Sequence, residues 1–231
     1  MKKYFNLFNI LNVLLIIAVL IGDFFYIKHG QLWVKSITSA GFVAIGAVNL
    51  IYAIKHKTTH LKFCIIMMVG LFFAMLGDIL LNINFIAGAV LFAVGHMFYF
   101  VAYCFLLKFK WTDLIPSVIL FTVATLFMTL APIFDFDGEM YKILCIVYAL
   151  IISCMMGKAV SNFIRENSIL NLVIMVGSIL FVISDVMLLI NVFAHLGSIF
   201  NVLCLATYYP AECFLAYSLK ETVVAQKTQE K

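Results

Sequence analysis

The sequence predicts an all-α integral membrane protein, a bundle of eight transmembrane helices. Hydrophobic residues make up 65% of the 231 positions and charged residues only 11%. With a mean hydropathy of +1.15, the chain lies far outside the composition of soluble domains. The apolar residues also fall into eight continuous stretches, each near the ~20 residues a helix needs to cross a bilayer. They are unbroken rather than alternating, which excludes a membrane barrel.

The first stretch, 6–27, follows Met1-Lys2-Lys3 and has the outline of a signal peptide. It lacks a small-x-small cleavage site, so it reads as an uncleaved first helix, with Asp23 near its solvated end. The second, 33–54, opens with Lys35, and the third, 62–83, carries Asp78 and Asn82 one turn apart. The fourth, 85–107, places His96, Tyr99 and Tyr103 at i, i+3, i+7, on one face. The fifth is 114–132, the sixth, 141–163, carries Tyr148, and the seventh, 169–191, carries Ser184 and Asp185. The eighth, 198–219, bears the stripe Asn201, Tyr208 and Glu212, with Pro210 placed to kink it. Short links join the stretches, so residues 1–231 read as a single polytopic domain.

Basic residues set the expected orientation. Lys2, Lys3, Lys55, Lys57, Lys62, Lys108, Lys110, Lys158, Arg165, Lys220, Lys227 and Lys231 fall on one side, and only Lys28, Lys35 and Lys142 on the other. The positive-inside rule then puts both termini in the cytoplasm, of a cell membrane if the source is prokaryotic. Asp135, Asp137 and Glu139 fall in an outer loop, in keeping with that choice. The net charge of +4 is thus a topology signal, and no nucleic-acid partner is expected. No protein partner and no cofactor are expected either. Cys64, Cys104, Cys145, Cys154, Cys204 and Cys213 all lie in apolar spans without a C-x-x-C, as small apolar residues do. His56 and His60 have i, i+4 ligand spacing but no third ligand nearby, so no metal site is expected.

Asp78 and Asp185 are the pair at which function is expected. A carboxylate near the middle of a transmembrane helix costs roughly 2.5–3.5 kcal/mol on insertion scales, and such residues are usually functional. Aligning Gly77-Asp78-Ile79-Leu80-Leu81 with Ser184-Asp185-Val186-Met187-Leu188 offsets the chain by 107 positions. Each aspartate then sits in the third helix of a four-helix half, a hint of two parallel halves. Both lie at matching depth, roughly 7–9 Å below the outer surface at about 1.5 Å per residue. The polar stripes must face inward, because lipid offers them no hydrogen-bond partner. A polar cavity open toward the outer side is therefore expected. A purely structural role, such as a bond between helices or a pairing with Lys35 or His96, is the competing expectation for the aspartates.

The pattern Gly77-Asp78-x-x-Leu81, Gly88…Phe92-x-x-x-His96-x-x-Tyr99, Phe181-x-x-Ser184-Asp185 and Tyr208-Tyr209 resembles the YhhN-like membrane proteins, which include the animal lysoplasmalogenases. Lys35, and Tyr148 followed by Met155, fit the same pattern. Departures are Lys35-Ser36 where the family often has Lys-Pro, and Glu212 where it often has Gln. The resemblance implies an eight-span hydrolase that cleaves the vinyl ether bond of lysoplasmalogens, taking a lysophospholipid from the membrane. Asp78 and Asp185 would then be the catalytic pair, sharing the acid and base work as two carboxyl groups do in glycosidases. His96 and Tyr208 would orient substrate and Lys35 would attract the phosphate. Asn82, Tyr99, Tyr148, Ser184 and Glu212 would line the substrate site. Intramembrane aspartyl proteases also use two aspartates, but they need Gly-x-Gly-Asp, and Met75 stands where the first glycine would be. The alternative from another class is a proton-coupled transporter or lipid-binding protein with the buried aspartates as a proton relay.

Overall fold

The computed structural model describes residues 2–194 and 196–229, with side chains for 7–194 and 196–226. The side chains of Lys2, Lys3 and Lys227, and all of Lys231, lie outside the described residues. Eight helices follow one another: α1 Lys2–His29, α2 Leu32–Lys55, α3 Leu61–Leu81, α4 Phe85–Leu106, α5 Leu114–Leu130, α6 Glu139–Arg165, α7 Ile169–Phe193 and α8 Ile199–Gln229. A 3-10 turn, Trp111–Asp113, precedes α5. All eight helices are long and apolar enough to cross a membrane, and no strand occurs among the described residues.

Local chemistry sets the helix ends. Gly30 takes a left-handed φ of 66° just past α1, where its N–H donates to the Tyr26 carbonyl at 2.8 Å. A side chain would resist that conformation. The Asn84 side chain caps α4 by accepting from the Ala87 N–H at 2.9 Å, and Ser168 caps α7 in the same way through Asn171 at 3.3 Å. Such caps satisfy N–H groups that a helix start leaves without partners.

The closest pairings are α3 with α4 and α7 with α8. Gly70 and Gly95 let α3 and α4 approach until a Cβ on Gly95 would stand 3.2 Å from the Gly70 carbonyl oxygen. Small residues at a crossing are the usual device for close packing in lipid. Gly177 of α7, which packs against Phe214 and Leu215 of α8, follows Gly70 at the same 107-residue offset as the aspartates. The remaining pairings repeat from half to half. α1 packs on α2 as α5 does on α6, α2 on α3 as α6 on α7, and α2 on α8 as α6 on α4. The symmetry fails at α8, which also packs on α1 and α3. Among the described residues α4 has no such close backbone approach to α5 or α7, and it meets α7 through side chains such as Tyr103 with Ser178 at 3.0 Å.

Two expectations need correction. The eighth helix does not end at 219 but continues to Gln229, with Lys220, Glu221 and Thr222 buried. Polar partners make that possible. Lys220 donates to Asn9 of α1 and to the Tyr217 hydroxyl, and the Thr58 hydroxyl donates to Thr222 at 3.1 Å. Hydropathy ends before the helix does. Asp23, expected in solvent, is 6% exposed, because α1 runs on to His29 and carries it more than a turn inside.

Candidate functional site

Asp78 projects from α3 into the bundle with 2% of its surface exposed. Its neighbours come from α2 and α8. The Tyr208 hydroxyl donates to Asp78 Oδ2 at 2.8 Å, and Ser39 Oγ lies 2.5 Å from the same oxygen. Lys35 Nζ stands 3.4 Å from Oδ1. The Ser39 hydroxyl has a second acceptor in reach, the Lys35 carbonyl at 2.9 Å, and Tyr209 OH is 3.3 Å away. Its proton can therefore turn toward an ionised Asp78 or away from a protonated one. Asn82 closes this side: its amide donates to the Asp78 carbonyl at 2.9 Å, while Tyr26 donates to its Oδ1 at 3.0 Å.

Asp185, on α7, accepts one hydrogen bond among the described residues, from Tyr148 of α6 at 2.8 Å. Ser184 beside it reaches Cys204 of α8 at 3.4 Å. Both aspartates line one polar cavity of about 190 Å³, together with Tyr26, Lys35, Asn82, Ser184, Asn201 and Tyr208. Tyr26, Asn82, Phe85 and Val192 put it near the face that carries the α1–α2, α3–α4 and α7–α8 links. A second cavity of about 290 Å³ adjoins it between α4, α5, α6 and α7. Its lining is apolar apart from Tyr148, Ser153 and Asp185. Leu81, Phe85, Phe92, Asp185 and Leu188 border both. Asp185 is therefore the carboxyl group at the junction of a polar compartment and an apolar one.

Of the residues singled out in the sequence, Asp78, Asp185, Lys35, Asn82, Tyr208 and Ser184 line the polar cavity, and Tyr148 lines the apolar one. His96, Tyr99 and Glu212 line neither. The Tyr99 hydroxyl donates to Glu212 Oε2 at 2.8 Å, deep between α4 and α8. His96 packs edge-on against Phe181 at 4.5 Å and Tyr148 at 5.5 Å. The Phe92 carbonyl is near enough to act on the imidazole electrostatically, but neither ring nitrogen makes a hydrogen bond of good geometry. Ser39 escaped the sequence reading, and Tyr209 was named only as part of the family pattern, with no place in the site. The spacing of Ser39, one turn after Lys35, was the available signal.

A second buried charge cluster lies at the opposite end of the bundle. Lys158 of α6 donates to Asp113 Oδ2 at 2.6 Å with both side chains 1% exposed, and Arg165 reaches the same oxygen at 3.2 Å. It joins the start of α5 to α6 and borders neither cavity. Among the described residues no three His, Cys, Asp or Glu side chains converge as metal ligands would.

Neither a curated protein nor a solved structure matches the chain. The pattern that defines the YhhN family matches residues 33–219, which takes in α2 to most of α8 and both aspartates, and the chain belongs to the YhhN family.

Proposed function

We propose that this protein is a lysoplasmalogenase-type hydrolase, which splits the vinyl ether bond of a lysoplasmalogen into a fatty aldehyde and a glycerophospho-headgroup. Asp78 and Asp185 are its acid–base pair, and no metal takes part. One observation carries the reading: two intramembrane aspartates from different helices border a single polar cavity, and one of them also borders an apolar cavity. Family membership supports the same class of reaction.

The chemistry suits the two environments. Protonation of the vinyl ether at its β-carbon forms an oxocarbenium ion; water adds to the adjacent carbon, loses a proton and leaves a hemiacetal. The hemiacetal then collapses to aldehyde and alcohol. Asp185, with one hydroxyl donor and an apolar flank, suits the proton donor. Asp78, beside a lysine ammonium and two hydroxyl groups, suits the anion that steadies the cation and takes a proton from water. General acid–base groups of this kind contribute about 10²–10⁴-fold each. Lys35 adds a cation for the headgroup phosphate.

The test is aldehyde release from purified protein given lysoplasmenylethanolamine in detergent with EDTA present, beside Asp78→Asn and Asp185→Asn. Release that persists in EDTA and falls at least a hundredfold in both variants is the expected result. A folded wild type that releases no aldehyde overturns the reading. Proton-coupled movement of a lipid or solute in sealed vesicles would then support the transporter.

A further inference from the structure

The apolar cavity meets the proton chemistry only at Asp185 and its partner Tyr148, and the rest of it has no use there. Its walls come from Ala89 and Phe92 on α4, Val123, Ala124 and Phe127 on α5, Ala149 on α6 and Val186 on α7. Such space in a membrane bundle calls for an occupant, since unfilled volume forfeits the packing contacts that hold helices together in lipid. Its origin lies in the broken symmetry. α1 packs against both α2 and α8, whereas among the described residues α5 packs against α6 and makes no matching approach to α4. The cavity therefore lies beside α5, a helix that packs closely on one other α-helix, α6, among the described residues.

We propose that this cavity holds the hydrocarbon chain of a single-chain amphiphile, and that its size sets the chain length accepted. The occupant follows from the junction. A molecule filling both cavities must be apolar along one part and polar along the other, with its change of character beside Asp185 and Phe92. Together the two volumes fall in the range of about 300–1,000 Å³ usual for small-ligand sites. They leave space for one chain. From Leu144 to Ser153 the cavity follows α6 for about 13 Å at 1.5 Å per residue. The inference deepens the hydrolase reading by naming how that site selects among substrates, and it rests on that reading for the bond broken.

Binding rather than turnover tests it. Saturated 1-O-alkyl lysophosphoethanolamines of 8 to 18 carbons, which carry no vinyl ether, are titrated against the full chain in detergent and bound ligand is read by native mass spectrometry. Wild type should bind longer chains more tightly. Ala124→Phe and Ala149→Phe, which fill the cavity, should weaken the longest chain at least tenfold while the 8-carbon ligand binds as before. Phe127→Ala, which enlarges it, should move the preference toward longer chains and keeps the test open where a filled variant does not fold. Chain-length profiles that coincide in wild type and variants overturn the proposal, as does a wild type that binds none of the series. Chain-dependent binding without aldehyde release sinks the hydrolase reading and leaves the chain site standing. Aldehyde release with an unmoved profile does the reverse.

Discussion

Tyr148 is the side chain that hydrogen-bonds Asp185, whereas Asp78 has Tyr208, Ser39 and Lys35. Removing a hydroxyl should therefore matter more on the first aspartate than on the second. As Asp185 gives up its proton it gains charge, and a hydrogen bond to a charged group contributes about 1.5–3 kcal/mol, so Tyr148→Phe should lower aldehyde release by roughly ten- to a hundredfold at saturating substrate. Tyr208→Phe should cost less than about tenfold, because Ser39 and Lys35 still hold the carboxyl in place. Equal losses in the two variants would contradict this ordering. The aspartates were legible in the sequence because a carboxylate in a long apolar run is conspicuous whatever surrounds it. Ser39 was not, and Tyr209 stood out only in the family pattern without a role, since a serine or tyrosine in a membrane helix is ordinary until its neighbours are known. Lys35 was visible as a charge, and its pairing with Asp78 was an alternative that helix packing alone could decide.

At the scale of elements, α5 and α1 are equally the least embedded in the bundle, and the beginning of α5 is held by buried charge. Asp113 neutralises Lys158, whose side chain is 1% exposed, and Arg165 adds a second cation. Breaking such a pair from one side leaves a bare ion inside, at about 3–5 kcal/mol. Asp113→Ala should therefore lower the apparent melting temperature in detergent markedly, and adding Lys158→Met should restore most of the loss. A double variant as unstable as the single one would show that the pair contributes more than charge balance. Gly157 supplies the accompanying close fit, for a Cβ there would lie 2.6 Å from the Ser117 backbone nitrogen. Helix existence was legible throughout, because continuous hydropathy is a long-range signal. The end of α8 was not. Lys220 and Glu221 look like solvent residues in sequence, and partners such as Asn9 and Tyr217, 211 and 3 positions from Lys220, help to explain the amine's burial.

For the whole molecule, repeated pairings of α1–α4 and α5–α8 bring the third helix of each half to one central cavity. The short 107-residue alignment hinted at this, but the break in symmetry beside α5 has no trace in any local pattern, since it concerns helices that fail to meet. Orientation is a matter of charge. If the basic faces are cytoplasmic, a cysteine replacing Asp137 in a cysteine-free background should react with an impermeant maleimide on intact cells, and one replacing Lys57 only after lysis. The reverse result would turn the cavity toward the cytoplasm. Because Asp78 and Asp185 border one cavity within one chain, the site needs no residue from a second copy. Asp78→Asn and Asp185→Asn chains carrying different tags and produced in the same membranes should thus remain as inactive together as apart. Recovery of aldehyde release on co-expression would require an intact pair assembled across two chains, by exchange of whole halves or by a site at a subunit interface. Either would overturn the single-chain geometry. Absence of recovery, with both variants inserted and folded, is what two aspartates sharing one cavity demand.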